Sequence, residues 1–178
     1  MRKFLWVALA FSLLGMTSQA QEASVPATDV TAGYSYFRIG GSGGVNLNGV
    51  SGSAAYNLNN WLGLVGDFGV YHGSPSGVSE TLSTYTFGPR FSYRASERFT
   101  PFVQALFGGS HFSASFGGIG ASSNPFAYSF GGGADLPLGG SGHVSLRPEV
   151  DYFGLRSNGS TSNSVRISAA VVFHFGQR

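Results

Sequence analysis

Ser164-Val165-Arg166-Ile167-Ser168-Ala169-Ala170-Val171-Val172-Phe173-His174-Phe175 is the stretch whose reading decides the fold. Taken two residues at a time, Val165, Ile167, Ala169, Val171, Phe173 and Phe175 fall on one side. Arg166, Ser168, Ala170, Val172 and His174 fall on the other. A period of two is the signature of a strand, whose successive side chains point to opposite faces. Pro125 to Leu138 reads the same way. Phe126, Tyr128, Phe130, Gly132, Ala134 and Leu136 share one face, and Ala127, Ser129, Gly131, Gly133 and Asp135 share the other.

Eight such segments follow one another, at roughly 29–38, 45–57, 61–72, 80–95, 100–112, 125–138, 143–156 and 163–175. The second is the least regular, because Leu47 and Val50 fall on opposite faces. The connections near 57–60, 96–98 and 139–142 are tight, whereas those at 39–44, 73–79, 113–124 and 157–162 are longer and rich in Gly, Ser and Asn. Short turns at one end and longer loops at the other are the layout of a bacterial outer-membrane barrel. The rival is a soluble barrel of lipocalin type, which would put bulky apolar residues inside and charges toward water. In this chain the face opposite the Phe, Tyr, Leu and Val residues carries Asp67, Arg90, Asp135, Arg147, Glu149, Asp151 and Arg166 among Gly and Ser. Lipid outside and a polar interior account for that pattern. The expected fold is an all-β, eight-stranded antiparallel up-and-down transmembrane barrel.

Composition narrows the function classes. Of the 178 residues 28 are Gly, 15% are aromatic and only 10% are charged, which excludes a charge-rich coiled coil and an acidic or basic disordered tail. With no Cys, disulfides, thiol catalysis and Cys-ligated metals are excluded together. Arg2 and Lys3 precede the apolar run Phe4 to Leu14, and Ser18 and Ala20 place small residues before Gln21. This reads as a signal peptide over 1–20, with an apolar stretch too short to anchor. A short extension over 21–28 and the barrel over 29–178 complete the organisation. No further domain is expected after the barrel. Without 1–20 the basic residues are eight arginines, matched by eight carboxylates, so no basic field remains for nucleic acid.

Aromatics gather near both strand ends. Tyr56, Trp61, Tyr93, Phe173 and Phe175 lie toward the tight turns, and Tyr36, Tyr85, Phe126, Tyr128 and Tyr152 toward the longer loops. Two bands match the interfacial girdles of a spanning barrel. The last strand adds Ser168-x-Ala170-x-x-Phe173-x-Phe175, which resembles the C-terminal assembly signal of outer-membrane barrels, with Ala where Gly is usual and a Gly176-Gln177-Arg178 tail after the aromatic. Together with Pro101 to Gly108, Phe130 to Asp135 and Leu146 to Tyr152, it gives a chain that resembles the outer-membrane protein β-barrel domain family over roughly 29–175. The resemblance implies a small eight-stranded barrel of OmpA/OmpX type in the bacterial cell outer membrane. Its implied partners are outer-membrane lipid and, during biogenesis, the barrel-assembly machinery and periplasmic chaperones. It implies no particular activity.

Candidate chemistry is sparse. His72 and His111 lie near the longer loops with Ser74 and Ser110 close in sequence, but they belong to non-neighbouring strands and have no flanking acid. His143 and His174 read as interfacial. Four scattered His offer no metal-ligand spacing, and Gly40-Gly41-Ser42-Gly43-Gly44 is followed by no phosphate-binding Lys. No cofactor or metal is expected. Asn158-Gly159-Ser160 matches a glycosylation triplet, which has no meaning if the host is the bacterium that the fold suggests.

The interior charges can be paired by counting outward from the hairpin turns. Centring one turn on Ser141 sets Asp135 against Arg147, and centring another between 158 and 159 sets Asp151 against Arg166. The same count places Asp67 against Arg90, and leaves Glu149 to share Arg147 or Arg166. Three functional readings follow: a monomeric structural or surface-interaction barrel with a filled interior, a narrow channel, and a lipid-modifying barrel enzyme. An eight-stranded barrel is just wide enough to be filled by its own side chains, which favours the first.

Overall fold

The computed structural model describes residues 25–41, 44–96, 98–117, 119–139, 142–157 and 159–176. The expected signal peptide therefore lies outside the described residues. The strands are β1 (Thr28–Ile39), β2 (Val45–Asn57), β3 (Leu62–Gly73), β4 (Ser79–Ser92), β5 (Thr100–Phe116), β6 (Ile119–Ser123), β7 (Phe126–Pro137), β8 (Val144–Ser157) and β9 (Ser160–Phe175). All pairings are antiparallel. The order β1-β2-β3-β4-β5-β7-β8-β9 returns on itself through β1 and β9, which pair from Thr28↔Phe175 to Ile39↔Ser164. This is a closed barrel of eight strands, and closure satisfies every edge that an open sheet would leave exposed.

The two connections expected as longer loops at 113–124 and 157–162 differ from that reading. β5 continues to Phe116 and turns back as β6, which pairs only with the end of β5, from Phe112↔Ser123 to Phe116↔Ile119. β8 and β9 likewise run on to Ser157↔Ser160. Both turns contain a glycine at positive φ, Gly117 at +57° and Gly159 at +79°, as two-residue hairpin turns require. Asn158-Gly159 is thus a hairpin signal. A 3-10 turn at Pro75–Gly77 makes the β3–β4 connection.

The exposed belt of Val50, Phe68, Phe87, Val103, Phe130, Val150 and Ile167 runs round the middle of the barrel. Water would not tolerate apolar surface on that scale, and hydrocarbon requires it. The aromatic bands face outward at both ends. Trp61 stacks on Phe91 at 5.9 Å near the tight turns, and Tyr128 contacts Phe130 and Tyr152 at 5.9 and 6.4 Å nearer the other end. Outward tyrosines near that end have their hydroxyls met by asparagines: Tyr34 donates to Asn48, Tyr36 to Asn46 and Tyr152 to Asn163, each at 2.7–2.8 Å.

Candidate functional site in the barrel lumen

At mid-height the lumen is organised by Arg166 of β9, which is 1% exposed. Its Nε and Nη2 donate to Asp151 Oδ2 on the neighbouring β8 at 3.0 and 2.8 Å, and Nη2 also reaches Glu149 Oε1 at 2.9 Å. Nη1 crosses the lumen to Asp67 Oδ1 of β3 at 2.7 Å and to the Tyr71 hydroxyl at 3.2 Å. One guanidinium thus ties three strands, and the Phe153 ring lies 5.0 Å from its carbon. The lumen face of β3 makes room for this arrangement through Gly69, where a Cβ would fall on the Tyr71 ring.

Toward the tight turns, Arg147 of β8 binds Asp135 of β7 through two parallel hydrogen bonds, one of 2.8 Å from Nη2, and donates from Nη1 to Thr31 of β1 at 3.1 Å. Arg90 of β4 is held differently. Its Nε and Nη2 both donate to Gln104 Oε1 at 3.1 and 2.8 Å, and Gln104 passes its own amide protons to Glu149 and Asp151 at 3.0 and 3.2 Å. The Phe102 ring lies 4.4 Å from the Arg90 guanidinium and 4.8 Å from that of Arg147.

The count from the hairpins places Asp151 directly opposite Arg166, and the observed register is the same. The β7–β8 register, which pairs Leu136 with Leu146, likewise opposes Asp135 and Arg147. The pairing of Asp67 with Arg90 is corrected. Asp67 opposes Thr86, and Arg90 opposes Gly63, so the count was displaced by four residues. The hairpin turns about Pro75–Gly77 with Gly73 opposite Glu80, so its centre lies two residues earlier in the chain than an Asp67–Arg90 pairing requires. An even displacement keeps both side chains inward but separates them by about 13 Å along the strand. Asp67 is therefore free to meet Arg166 across the lumen.

At the tight-turn end a chain of hydrogen bonds crosses the closing seam. Ser145 Oγ on β8 lies 2.8 Å from His174 Nε2 on β9, and His174 Nδ1 lies 2.7 Å from Asp29 Oδ1 on β1, its register partner. Asp29 Oδ2 accepts from Asn57 of β2 at 3.0 Å, and Arg94 donates to Asn57 Oδ1 at 3.1 Å. Burial pulls the Arg94 guanidinium, which lies outside the strands, below its ordinary value. Ser145, His174 and Asp29 have the connectivity of a hydrolase triad. Ser145 is 1% exposed within the wall, however, which closes its hydroxyl to a substrate carbonyl.

The other end of the lumen is apolar, contrary to the expectation of a polar interior throughout. Phe37, Leu47, Tyr71, Leu82, Ala127, Phe153 and Leu155 form a buried plug, with Ile39, Val45 and Phe112 packed on it. Leu47 points inward here and Val50 outward, which explains the irregular face pattern of β2. On the outside, His72 Nδ1 contacts Thr81 Oγ1 at 2.9 Å and His111 Nδ1 contacts Asn124 Oδ1 at 2.7 Å, so each pairs with a hydroxyl or an amide rather than an acid. Among the described residues no group of His, Asp and Glu could hold a metal.

Sequence reasoning missed Gln104, Tyr71, Asp29, Asn57 and the inward role of His174. Gln104 carried a signal, since it is the polar residue between Phe102 and Leu106 on one face of β5. Asp29 and His174 meet only through closure of β1 on β9, which no hairpin count reaches.

An eight-stranded closed barrel with a lipid-facing belt and buried ion pairs is an outer-membrane barrel. The chain belongs to the outer membrane protein beta-barrel domain family, which matches residues 7–175. No curated protein matches it in sequence. Among solved structures it is similar to Neisserial surface protein A, with a TM-score of 0.72 and 18% identity over 86% of this chain and 100% of that one. It is similar also to Ail, the attachment invasion locus protein of Yersinia pestis, with a TM-score of 0.60 and 16% identity over 84% and 99% of the two chains. The N-terminal β-barrel domain of Pseudomonas aeruginosa OprF matches with a TM-score of 0.56 and 14% identity, over 85% of this chain and all of that domain. These similarities concern the fold.

Proposed function

We propose that this protein is a non-conducting, non-enzymatic barrel of the bacterial outer membrane whose role is structural or surface-presenting. The observation that carries this reading is the lumen packing: Arg166 bound to three carboxylates at mid-height, with an apolar plug above it. Hydrated ions would have to displace both. The long hairpins β5–β6 and β8–β9 face the cell exterior and the short turns the periplasm, as in barrels of this architecture. Ail has been crystallised with a heparin analogue, sucrose octasulfate. The long-hairpin end here carries only the scattered Arg38 and Arg156, which does not suit a polyanion.

Export by a signal peptide cleaved between Ala20 and Gln21, and assembly directed by Ser168, Ala170, Phe173 and Phe175 through the barrel-assembly machinery, belong to the same proposal, as does a monomeric state. Planar-bilayer recording tests it. The refolded barrel should show no steady conductance, and a large stable conductance would establish the channel reading instead. N-terminal sequencing of the outer-membrane fraction should begin at Gln21; retention of Met1 would contradict export.

A further inference from the structure

Above the barrel rim, the start of β4, the end of β5 and all of β6 form a three-stranded flap with two unlike faces. Phe112 packs on the apolar plug and so faces the lumen axis. By the period of two, Ala114 and Phe116 share its face, and the register sets Ala121 and Ile119 directly opposite them. The opposite face presents Ser79, Thr81, Ser113, Ser115 and Ser122. The register also sets Glu80 opposite Ala114, so the flap turns toward the mouth of the barrel a side that is apolar apart from one carboxylate. No described part of the chain covers the tip of that side, where Phe116 is 65% and Ile119 82% exposed.

Beneath it the mouth holds an open cavity of about 350 Å³. Ile39, Phe112 and Leu155 supply its apolar surface, which continues into the plug. Ser157, Ser160 and Ser162, on the β8–β9 hairpin, supply hydroxyls. No ionisable side chain is among its described lining residues. The volume falls in the range of small-molecule sites, about 300–1,000 Å³, and a few polar groups around an apolar floor is the usual composition of such sites.

We propose that this mouth binds a neutral amphipathic small molecule. Its ring or short chain rests on Ile39, Phe112 and Leu155, and its hydroxyl or carbonyl groups meet Ser157, Ser160 and Ser162. A charged ligand would surrender hydration without touching a counter-charge, because Glu80 on the flap is not among the lining residues. A folded partner is too large for the cavity, and the uncovered Phe116 and Ile119 extend the apolar contact for a molecule longer than the floor. The proposal deepens the surface-presenting reading, and its floor rests on the plug being closed.

The test uses the barrel in lipid nanodiscs, phenyl β-glucoside as the probe, and NMR of assigned signals. Saturable shifts are expected at Ile39, Leu155 and Ile119 and not at Val65 or Val172 deep in the wall. Ser160→Trp, which fills the cavity from its rim, should weaken binding by about tenfold or more. The exposed pair Phe116→Ser and Ile119→Ser, which leaves the plug intact, should weaken it by about threefold. Glucose, lacking the apolar ring, and phenyl phosphate, carrying charge, should both bind at least tenfold more weakly. Equal binding of either analogue, unaltered binding in both variants, or unsaturable shifts spread over lipid-facing Val50 and Phe68 would overturn the site. Conductance recorded on the same preparation keeps the two readings apart. A conducting barrel that binds the probe refutes the seal alone, and a sealed barrel that does not bind refutes the site alone.

Discussion

Replacing Arg166 with methionine keeps most of the side-chain volume and removes the charge that three carboxylates share. Asp67, Glu149 and Asp151 would then face one another in a space where they are at most 8% exposed. Arg147 cannot substitute, because its guanidinium is committed to Asp135 and Thr31. Arg90 reaches the cluster through Gln104. Breaking a buried pair by removing one partner costs about 3–5 kcal/mol, chiefly because it strands the other charge. The measurement is urea unfolding in lipid vesicles, followed by Trp61 fluorescence and by the heat-dependent shift in gel mobility. Arg166→Met should lose about 3–5 kcal/mol of stability. Adding Asp67→Asn and Asp151→Asn should recover most of it, because amides occupy the same space without stranded charge. If Arg166→Met loses less than about 1 kcal/mol, or if the triple variant is no better than the single one, the lumen is not held by this network.

Three further outcomes test other parts of the structure. Gly131→Ala places a Cβ on the Asp151 carboxylate and the Val150 carbonyl and should cost about 1–3 kcal/mol, whereas Gly66→Ala, with nothing within 4 Å, should be near neutral in the same urea assay. Phe175→Ala should lower the yield of heat-modifiable, protease-resistant barrel by removing the terminal aromatic; a normal yield would place the assembly signal elsewhere. Ser145 should fail to react with a fluorophosphonate probe, while Asp29→Ala should speed amide exchange along the β1–β9 seam at its tight-turn end. Labelling of Ser145 that depends on His174 would revive the enzyme reading.

The fold was legible because a barrel in lipid imposes one rule on every strand. A one-residue slip would turn Arg166, Arg147 and Asp135 toward hydrocarbon, at about 2–4 kcal/mol for each arginine at the midplane. Facing is therefore written into the sequence wherever charges and aromatics alternate, as in β7 and β9. The rule failed at the long-hairpin end, where Phe37, Leu47 and Leu82 are also inside. Above the bilayer the outer face meets water, so an apolar side chain there no longer marks the outside.

Pairing followed the same division. Where a short turn joins two strands, its centre fixes which residues oppose, and Asp135–Arg147 and Asp151–Arg166 could be read by counting. The β3–β4 connection contains a compact 3-10 turn that spacing alone does not reveal, and the count for Asp67 slipped with it. Contacts between strands distant in sequence had no turn to count from. Asp67 meets Arg166 across the lumen, and Asp29 meets His174 through the β1–β9 seam. The sequence by itself determined that strands form, which face each turns to lipid, and which charges must be buried, because those follow from period two and the cost of charge in hydrocarbon. Tertiary structure alone decided which buried charges meet across the lumen and across the β1–β9 seam, because closure of the sheet sets the stagger of the strands and so brings particular residues to one height in the lumen.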